Sequence, residues 1–453
     1  MSFISVTEAQ RAEMLKVCGA TSIDELFTDI PDSMSPHPSA KDFFDSEGLS
    51  ELEALTECER LASANDTDLI SFLGGGFYDH FIPAAVDAIA SRSEFYTAYT
   101  PYQPEMSQGT LQAIYEYQSQ ICRLTGMEIS NASLYDGGTA LFEACKMALA
   151  STDRRVIVID SGVNPIYGKM LKSHTVNLGI DIVEIPAMYD GTLDREVING
   201  AIDDKTAAVV LQNPNFFGII DDHSDIVDKC KSVGAITIQS VNPLALALIK
   251  PPGEQGFDIA VGEGQSLGIP LSFGGPYLGI IAAKKALARK MPGRIVARTT
   301  DASGREGFVL SLQAREQHIR REKATSNICS NEALCALRAH AYLSLIGKQG
   351  LVDVATLCHN KAIQLRERIK ESIPSIRMYD EPPIFNEFVI ELPMNANTCV
   401  EYMLRRGFAA GIPIRKYYNY DGADRALLVA VTEKRTQDEI EAFVDDLRDV
   451  VRR

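Results

Sequence analysis

The sequence predicts an α/β fold, with a mostly parallel sheet covered by helices on both faces and a smaller α+β domain at the C-terminus. In the middle of the chain, runs of β-branched residues alternate with helical or loop stretches, which is typical of a parallel sheet. These runs occupy 154–160, 181–186, 207–213 and 235–240. Nearer the C-terminus, strand patterns at 387–392 and 426–431 alternate with helical patterns at 396–406 and 436–452, which indicates the smaller domain.

Length and composition are those of a soluble protein with large cores. The chain has 453 residues, of which 45% are hydrophobic and 23% are charged. Its net charge of −17 argues against a nucleic-acid or anionic-membrane surface. The 9 cysteines form no C-x-x-C pair, so we interpret them as buried reduced thiols. Because the chain begins without a signal-peptide pattern and contains no apolar run near ~20 residues, we expect a cytoplasmic protein without metal, membrane or nucleic-acid partners.

Three regions are expected along the chain. They are a helical N-terminal arm at 1–70, a large domain at 71–330, and a connecting helix with the small domain at 331–453. Within them, 278–285 predicts an antiparallel strand and 331–372 predicts the long connecting helix.

The arm is expected to hold three helices and a proline-rich linker. Thr7 predicts the start of the first helix, Ser22–Phe27 a capped second helix, and 48–64 the third. The linker prolines are Pro31, Pro36 and Pro38. Since the arm has too little apolar surface for its own core, we expect it to drape over a neighbouring subunit, with a local lid as the alternative.

The stretch 257–279 organises the large domain. A short apolar strand, 258–261, breaks into glycines at positions 262, 264 and 268, and a second break follows at Gly274–Gly275–Pro276. A strand that ends in a glycine-rich bend between α/β units is where a doubly wound sheet places its ligand.

Three consecutive glycines at 74–76 precede aromatic residues and a helix led by a proline. Their backbone N–H groups allow a phosphate cradle or, as the favoured interpretation, a tight turn before a helix. The pattern lacks the lysine of a nucleotide-binding P-loop, so nucleotide binding is not expected.

The loop at 95–109 is rich in hydroxyl groups. Its tyrosines are Tyr96, Tyr99, Tyr102 and, just beyond the loop, Tyr115. Buried tyrosine hydroxyls need hydrogen-bond partners, so such a cluster indicates a polar site or a polar interface. The alternative is a set of tyrosines that pack the loop onto the protein surface.

Together, these motifs resemble those of the glycine decarboxylase (P-protein) family of the glycine cleavage system. The loop at 95–109 and the helix start at 131–144 match long family motifs in the correct order, and Ile269–Pro270 with 274–276 sets the register of the glycine-rich bend. The resemblance implies the fold-type I architecture of transferases that depend on pyridoxal phosphate (PLP). It is closest to subunit 1, the α subunit that lacks the PLP lysine.

In this register, the position of the family's Schiff-base lysine falls on Gln265 and that of its pyridine-pairing aspartate on Gln239. A glutamine forms no Schiff base and does not stabilise a pyridinium charge. The resemblance therefore implies no catalytic residue and no cofactor-binding residue on this chain alone. It implies PLP on a lysine-bearing subunit 2 in an α2β2 enzyme, which decarboxylates glycine and transfers the aminomethyl group to the lipoyl arm of H-protein.

Asp136 precedes Gly137, Gly138 and Thr139, where enzymes of this fold bind the PLP phosphate on a helix N-terminus. A carboxylate at this position is a good N-cap, worth about 1 kcal/mol, but it repels a phosphate. We therefore expect the phosphate pocket of this chain to be filled by its own side chain.

Residues of the tyrosine-rich loop are the candidates for contact with the partner's site. They are Tyr96, Tyr99, Tyr102, Gln103, Glu105 and Ser107. Two alternatives stay open. The chain is a non-catalytic scaffold or regulatory partner, or it is a self-sufficient PLP lyase that uses Lys169, Lys284 or Lys285.

A basic segment at 304–334 has two interpretations. By pattern alone, its charges predict a solvated helix with i,i+4 pairs. The resemblance instead implies a structural turn near the subunit contact. The basic residues are Arg315, Arg320, Arg321 and Lys323.

Overall fold

The computed structural model describes residues 6–34, 48–378 and 382–452. The chain divides into two compact units, 1–67 and 68–453. A further division of the second unit near residue 330 stays a prediction.

The first unit consists of short helices. They are α1 (Glu8–Val17), α2 (Glu51–Ala62) and 3-10 turns at Asp24–Phe27 and Asp32–Met34. Capping boxes begin α1 at Thr7 and α2 at Ser50, which confirms the first and third predicted helices. The predicted second helix forms only as the 3-10 turn, although the hydroxyl of Ser22 accepts from the N–H of Glu25 at 3.4 Å, as expected for a cap. Pro36 and Pro38 lie outside the described residues.

The second unit is built from these strands and helices. Its strands are β1 (Ile70–Ser71), β2 (Ile129–Ser130), β3 (Val156–Asp160), β4 (Asp181–Ile185), β5 (Thr206–Asn213), β6 (Ile236–Val241), β7 (Ile259–Glu263), β8 (Gly279–Ala283), β9 (Ile295–Thr300), β10 (Glu306–Ser311), β11 (Arg377–Met378), β12 (Glu387–Glu391), β13 (Phe408–Ala409), β14 (Ile412–Pro413) and β15 (Ala426–Ala430). Its helices are α3 (Ala84–Ala90), α4 (Ser93–Tyr96), α5 (Gln108–Thr125), α6 (Gly137–Thr152), α7 (Pro165–Thr175), α8 (Arg195–Ala201), α9 (Ser224–Val233), α10 (Pro252–Gln255), α11 (Gln317–Arg320), α12 (Ala333–Ser372), α13 (Ala396–Leu404) and α14 (Gln437–Val451).

The main sheet has seven strands in the order β2-β8-β7-β6-β5-β3-β4. Strands β3 to β7 run parallel, and β8 pairs antiparallel with β7, as predicted for 278–285. Helices cover both faces: Val158 and Val209 pack in one core with α5 and α12, whereas Ile157 and Val210 pack in another with α6 and α7. The runs that form β3, β5 and β6 are continuous because both faces of these strands are buried, whereas β4 lies at the edge of the sheet and is largely exposed.

Strand β7 is longer than predicted. It continues through Gly262 to Glu263 instead of breaking at the glycine. A Cβ on Gly262 would lie 2.7 Å from the carbonyl oxygen of Val241 in β6. This glycine therefore permits the close approach of two strands, and the bend begins only after Glu263.

The smaller C-terminal sheet has the order β11-β12-β15-β14 and antiparallel pairing. Its core includes the second half of α12 with α13 and α14, which confirms the predicted α+β arrangement. Helix α12 has the predicted length and is interrupted at Gly347, which has a φ of 63°.

The solvated helix predicted for the basic segment is wrong. Only one-turn pieces form between residues 313 and 323, after a hairpin of β9 and β10 that the sequence did not reveal. Arg315 donates to the carbonyl oxygens of Gly293 and Leu312, so its charge holds neighbouring loops instead of pairing along a helix. The segment is a turn, as the resemblance implied, and its place near a subunit contact stays a prediction.

All nine cysteines are free thiols. The prediction of burial is wrong for three of them, Cys18, Cys58 and Cys329, which are exposed. No helix in the described part of the chain is both long and apolar enough to span a membrane.

Candidate active site

Gln265 lies just beyond the carboxyl end of β7, where a sheet of this type places its ligand. It is 2% exposed. Its Oε1 accepts from the backbone N–H of Tyr78 at 2.9 Å, and its Nε2 donates to the carbonyl oxygens of Tyr78 at 3.1 Å and Ile269 at 2.9 Å. The hydrogen bonds of this amide therefore hold the loop that carries Tyr78 in place.

Gln239 lies one strand away, in β6, and is also buried. Its Nε2 is 3.5 Å from Oε1 of Gln255. The cavity beside Gln265 is lined by Ser240 and Asn242 of this strand region but not by Gln239. The structure therefore places Gln239 in β6 and Gln265 beyond the end of β7, and neither side chain lines this cavity.

Glu263 is a buried residue of the candidate site that sequence reasoning missed. It is the last residue of β7, and its carboxylate accepts from the backbone N–H groups of Gly137 and Gln265 at 3.0 Å and of Leu278 at 3.1 Å. Burial raises the pKa of Glu263 to about 8, although the hydrogen bonds from Gly137 and Leu278 act in the opposite direction.

Gly137 is the first residue of α6, so the carboxylate of Glu263 occupies the N-terminus of this helix. Asp136 caps the same helix: its Oδ1 accepts from the N–H of Thr139 at 2.8 Å, which confirms the predicted N-cap. The helix end that the resemblance assigned to a phosphate therefore meets two carboxylates of the chain itself. The sequence feature that could have revealed Glu263 is an acidic residue between two glycines at the end of an apolar strand.

The glycines at 74–76 form a tight turn, and Gly75 and Gly76 have φ values of +72° and +107°. The N–H of Gly75 donates to Oε2 of Glu387 at 2.8 Å, and the hydroxyl of Tyr78 donates to its Oε1 at 2.7 Å. Burial raises the pKa of Glu387 to about 7, against the lowering effect of both hydrogen bonds. This turn thus holds an internal carboxylate.

Between Glu263 and Glu387 lies a cavity of about 30 Å³. It is lined in part by Tyr78, Tyr167, Ser240, Glu263, Ser266 and Glu387. Pockets for organic ligands usually measure about 300–1,000 Å³. The residues present do not fit PLP, because the lysine position holds an amide, carboxylates occupy the anion-binding positions and the space is too small.

The other lysines suggested as Schiff-base candidates lie elsewhere. Lys284 Nζ donates to Asp258 at 2.7 Å, next to the amino end of β7 and thus at the opposite edge of the sheet from Gln265. Lys169 and Lys285 are exposed. The geometry does not favour a self-sufficient PLP enzyme.

The loop at 95–109 is on the surface of the chain. The side chains of Tyr96, Tyr99 and Tyr102 are 58%, 87% and 45% exposed, so they form no buried polar site within this chain, and the polar interface stays a prediction. Tyr102 alone is held by a cation, since Arg294 Nη2 donates to its hydroxyl at 3.2 Å. Tyr99 lines a mainly apolar pocket of about 170 Å³. Its ring therefore borders apolar side chains and not a buried polar site.

The remaining candidates, Gln103, Glu105 and Ser107, belong to the same loop, and Gln103 and Glu105 are exposed. Ser107 precedes α5 but makes no side-chain cap. The structure does not bring the loop to the cavity at Gln265, whose lining contains none of its residues.

Comparison with known proteins identifies the family. A family model described as glycine cleavage system P-protein matches residues 1–447. The chain is 53% identical over 447 residues to the probable glycine dehydrogenase (decarboxylating) subunit 1 of Geotalea uraniireducens, covering 99% of both chains. This chain belongs to the glycine cleavage system P-protein family.

Solved structures agree with the P-protein assignment. A crystal structure of glycine decarboxylase (P-protein) of the glycine cleavage system, in inhibitor-bound form, matches with a TM-score of 0.85 and 41% identity, over 99% of this chain and 100% of that one. The sphingosine-1-phosphate lyase of Burkholderia pseudomallei matches with a TM-score of 0.66 and 16% identity, over 92% and 95% of the two chains. The second match supports the fold alone. The chain described here has the fold-type I architecture of PLP-dependent enzymes.

Proposed function

We propose that this chain is subunit 1 of glycine dehydrogenase (decarboxylating), the P-protein of the glycine cleavage system. The proposal is supported by full-length relatives that carry this name and by a family model that spans nearly the whole chain. The observation that carries it is the buried amide of Gln265, which stands at the carboxyl edge of the sheet with all of its bonds directed to the protein.

Because the lysine position of this chain holds an amide, we infer that the covalent chemistry belongs to a second subunit. We expect that partner to bear the lysine and to carry PLP, which supplies the electron sink for glycine decarboxylation. The lipoyl arm of H-protein is the proposed acceptor of the aminomethyl group, in a cytoplasmic α2β2 enzyme. The present chain would shape and support the partner's site.

The tyrosine-rich loop is the proposed contact with the partner. Tyr99 leaves 87% of its side chain exposed, beside the apolar pocket of about 170 Å³ that is also lined by Phe95, Pro101 and Leu337. Large aromatic side chains at the surface are typical of protein interfaces. Tyr96, Tyr102, Gln103, Glu105 and Ser107 lie along the same loop.

Reconstitution tests the proposal. The purified chain, a purified lysine-bearing P-protein subunit and their mixture are assayed for glycine-dependent exchange of labelled CO2. We expect exchange only in the mixture. Full activity of the lysine-bearing subunit alone would reduce this chain to a scaffold or regulator, and exchange by this chain alone would establish a self-sufficient enzyme.

A further inference from the structure

A strongly basic segment lies within this acidic chain. Between residues 284 and 323 the sequence has 11 Lys and Arg residues but 4 Asp and Glu residues, whereas the whole chain has a net charge of −17. Some of these cations are used inside the fold, since Lys284 pairs with Asp258 at 2.7 Å and Arg294 is buried. Five others, which we call the basic face, have no ion-pair partner among the described residues. They are Arg289, Lys290, Arg320, Arg321 and Lys323.

The cations of the basic face come from two neighbouring parts of the fold. Arg289 and Lys290 border the same small pocket as Arg315 and Glu316. Arg320 follows in α11, and its N–H donates to the carbonyl oxygen of Glu316 at 2.9 Å. Four of the five cations are exposed, and Lys290 is half-buried. The fold therefore brings positive charges that are 30 positions apart to one side of the same turn.

Nearby acidic residues do not neutralise the basic face. The side chain of Glu316 is 8% exposed and lies 3.5 Å from His318. Between residues 315 and 323, Glu322 is the one exposed acid, and it stands among three exposed cations of the basic face. Like charges that are held close together repel one another, and an anionic partner relieves this repulsion.

The composition of the basic face indicates a partner that binds and leaves. Permanent subunit interfaces are largely apolar, and lysine is depleted in protein interfaces, whereas charged surfaces steer the encounter of transient partners. The apolar neighbour of Arg320 is a single side chain, Ile319, which is 50% exposed. A net charge of −17 repels a long polyanion such as nucleic acid, so a compact protein with an acidic patch fits this surface better.

The basic face adjoins the tyrosine-rich loop. The ring of His318, two residues before Arg320, has its centroid 6.4 Å from that of Tyr102. Arg294, from the same basic segment, donates to the Tyr102 hydroxyl at 3.2 Å. Since this loop is the proposed contact with the partner's site, a protein docked on the basic face would stand beside that site.

We propose that the basic face is a docking surface for an acidic patch on the lipoyl-bearing carrier, H-protein. The inference rests on the proposed function, which makes that protein the acceptor of the aminomethyl group. A carrier has to arrive, accept the group and leave in every turnover. Charged side chains at the rim of a contact speed such encounters without making the complex permanent.

Neutralisation of the turn tests the proposal in the mixed enzyme. Arg320→Gln, Arg321→Gln and Lys323→Gln are combined in the full chain, and glycine-dependent exchange of labelled CO2 is measured at increasing concentrations of H-protein. At low ionic strength we expect the KM for H-protein to rise about tenfold, while kcat and the KM for glycine stay unchanged. In the wild type, added salt should raise the KM for H-protein toward the value of the variant, because it screens exposed charges.

A matched control removes three exposed cations elsewhere. Lys169→Gln, Lys205→Gln and Lys348→Gln change the net charge equally and should leave the KM for H-protein unchanged. Size-exclusion chromatography monitors the association of the two subunits in every variant.

The outcomes separate the docking surface from the proposed function. Equal KM values for H-protein in the wild type and the basic-face variant would overturn the docking surface, and so would a wild-type KM that does not depend on salt. Dissociation of the subunits in that variant alone would assign the basic face to the subunit contact and overturn it as well. Absence of exchange in the wild-type mixture would instead refute the proposed function.

Discussion

Two acidic regions of this molecule, around Glu433 and around Glu263, have carboxyl pKa values that are shifted in opposite directions. Glu433 lies 2.7 Å from Nδ1 of His80, accepts from the N–H of Phe81 at 2.6 Å and receives the thiol of Cys358 at 3.2 Å. Although burial raises the pKa of Glu433, the hydrogen bond and the charge of His80 lower it to about 2. Glu263 has three backbone N–H donors, and yet burial raises its pKa to about 8.

The difference shows what a buried carboxylate needs in this fold. Backbone donors position Glu263 and satisfy its oxygens, but its pKa stays raised, whereas the hydrogen bond and charge interaction with His80 lower the pKa of Glu433. The ionised Glu433 therefore fastens the loop after Tyr78 to the C-terminal domain. Glu263 instead occupies the N-terminus of α6, the position that the resemblance assigned to a phosphate.

The largest effect is expected from a variant that breaks the contact between Glu433 and His80. Glu433→Gln leaves His80 without its carboxylate partner and weakens the contact with Cys358. Removal of a charged hydrogen-bond partner typically costs about 1.5–3 kcal/mol of unfolding free energy. Urea unfolding at neutral pH measures the loss, with Glu196→Gln as the exposed control, and a change below about 0.5 kcal/mol would show that the pair is unimportant.

A smaller loss is expected where Glu263 meets its helix. In Gly137→Ala, the new Cβ would lie 2.5 Å from the Tyr167 hydroxyl and 3.0 Å from the backbone nitrogen of Glu263, which should destabilise the fold by about 1–3 kcal/mol. Gly168→Ala in α7 is the matched control, since its Cβ meets nothing within 4 Å. The control should be neutral or more stable, because alanine favours helix. Equal stability of the two variants would argue against the tight contact at α6.

The pH dependence of stability distinguishes the two regions. Protonated Glu263 stabilises the folded chain fully below about pH 4.5, and this contribution is lost as the pH rises toward about 8. Asp136 and Tyr167 face the same group and stay unchanged in Glu263→Gln. The variant should therefore lose less stability than the wild type between these pH values, by more than about 1 kcal/mol in chemical unfolding. Parallel curves would show that Glu263 does not titrate in this range.

The smallest effect is expected at the tyrosine-rich loop, which lies outside both acidic regions. Tyr99→Phe combined with Tyr102→Phe should lower glycine–CO2 exchange of the mixed enzyme severalfold while the subunits stay associated. Size-exclusion chromatography monitors the association, and Tyr189→Phe serves as a control at another exposed tyrosine. Unchanged exchange would remove this loop from the partner's site.

The sequence predicts local and periodic features of this fold well. The β-branched runs that became β3 to β6, and the capping groups at Thr7 and Asp136, depend on neighbouring residues alone. The β9–β10 hairpin had no such signal in the sequence. The charge pattern of the basic segment after it wrongly predicted a helix, because Arg315 donates to carbonyl oxygens of loops that are distant in sequence.

The site is predictable only in part, for a physical reason. Gln265 is marked by its position in a motif, but its bonds to Tyr78 join residues 187 positions apart. Glu263 reaches Gly137 across 126 positions, so its role appears only when β7 and α6 meet. The exposure of Tyr99 likewise depends on the apolar side chains that the fold places beneath it.

The central claim is that the amide of Gln265 leaves this chain without a Schiff base. Borohydride reduction of the mixed enzyme in the presence of PLP, followed by peptide mass spectrometry, tests this most directly. We predict pyridoxyl-lysine on the partner subunit and none on this chain, whether mixed or alone. A pyridoxyl group on any lysine of this chain, at a yield comparable with the partner's, would contradict the claim.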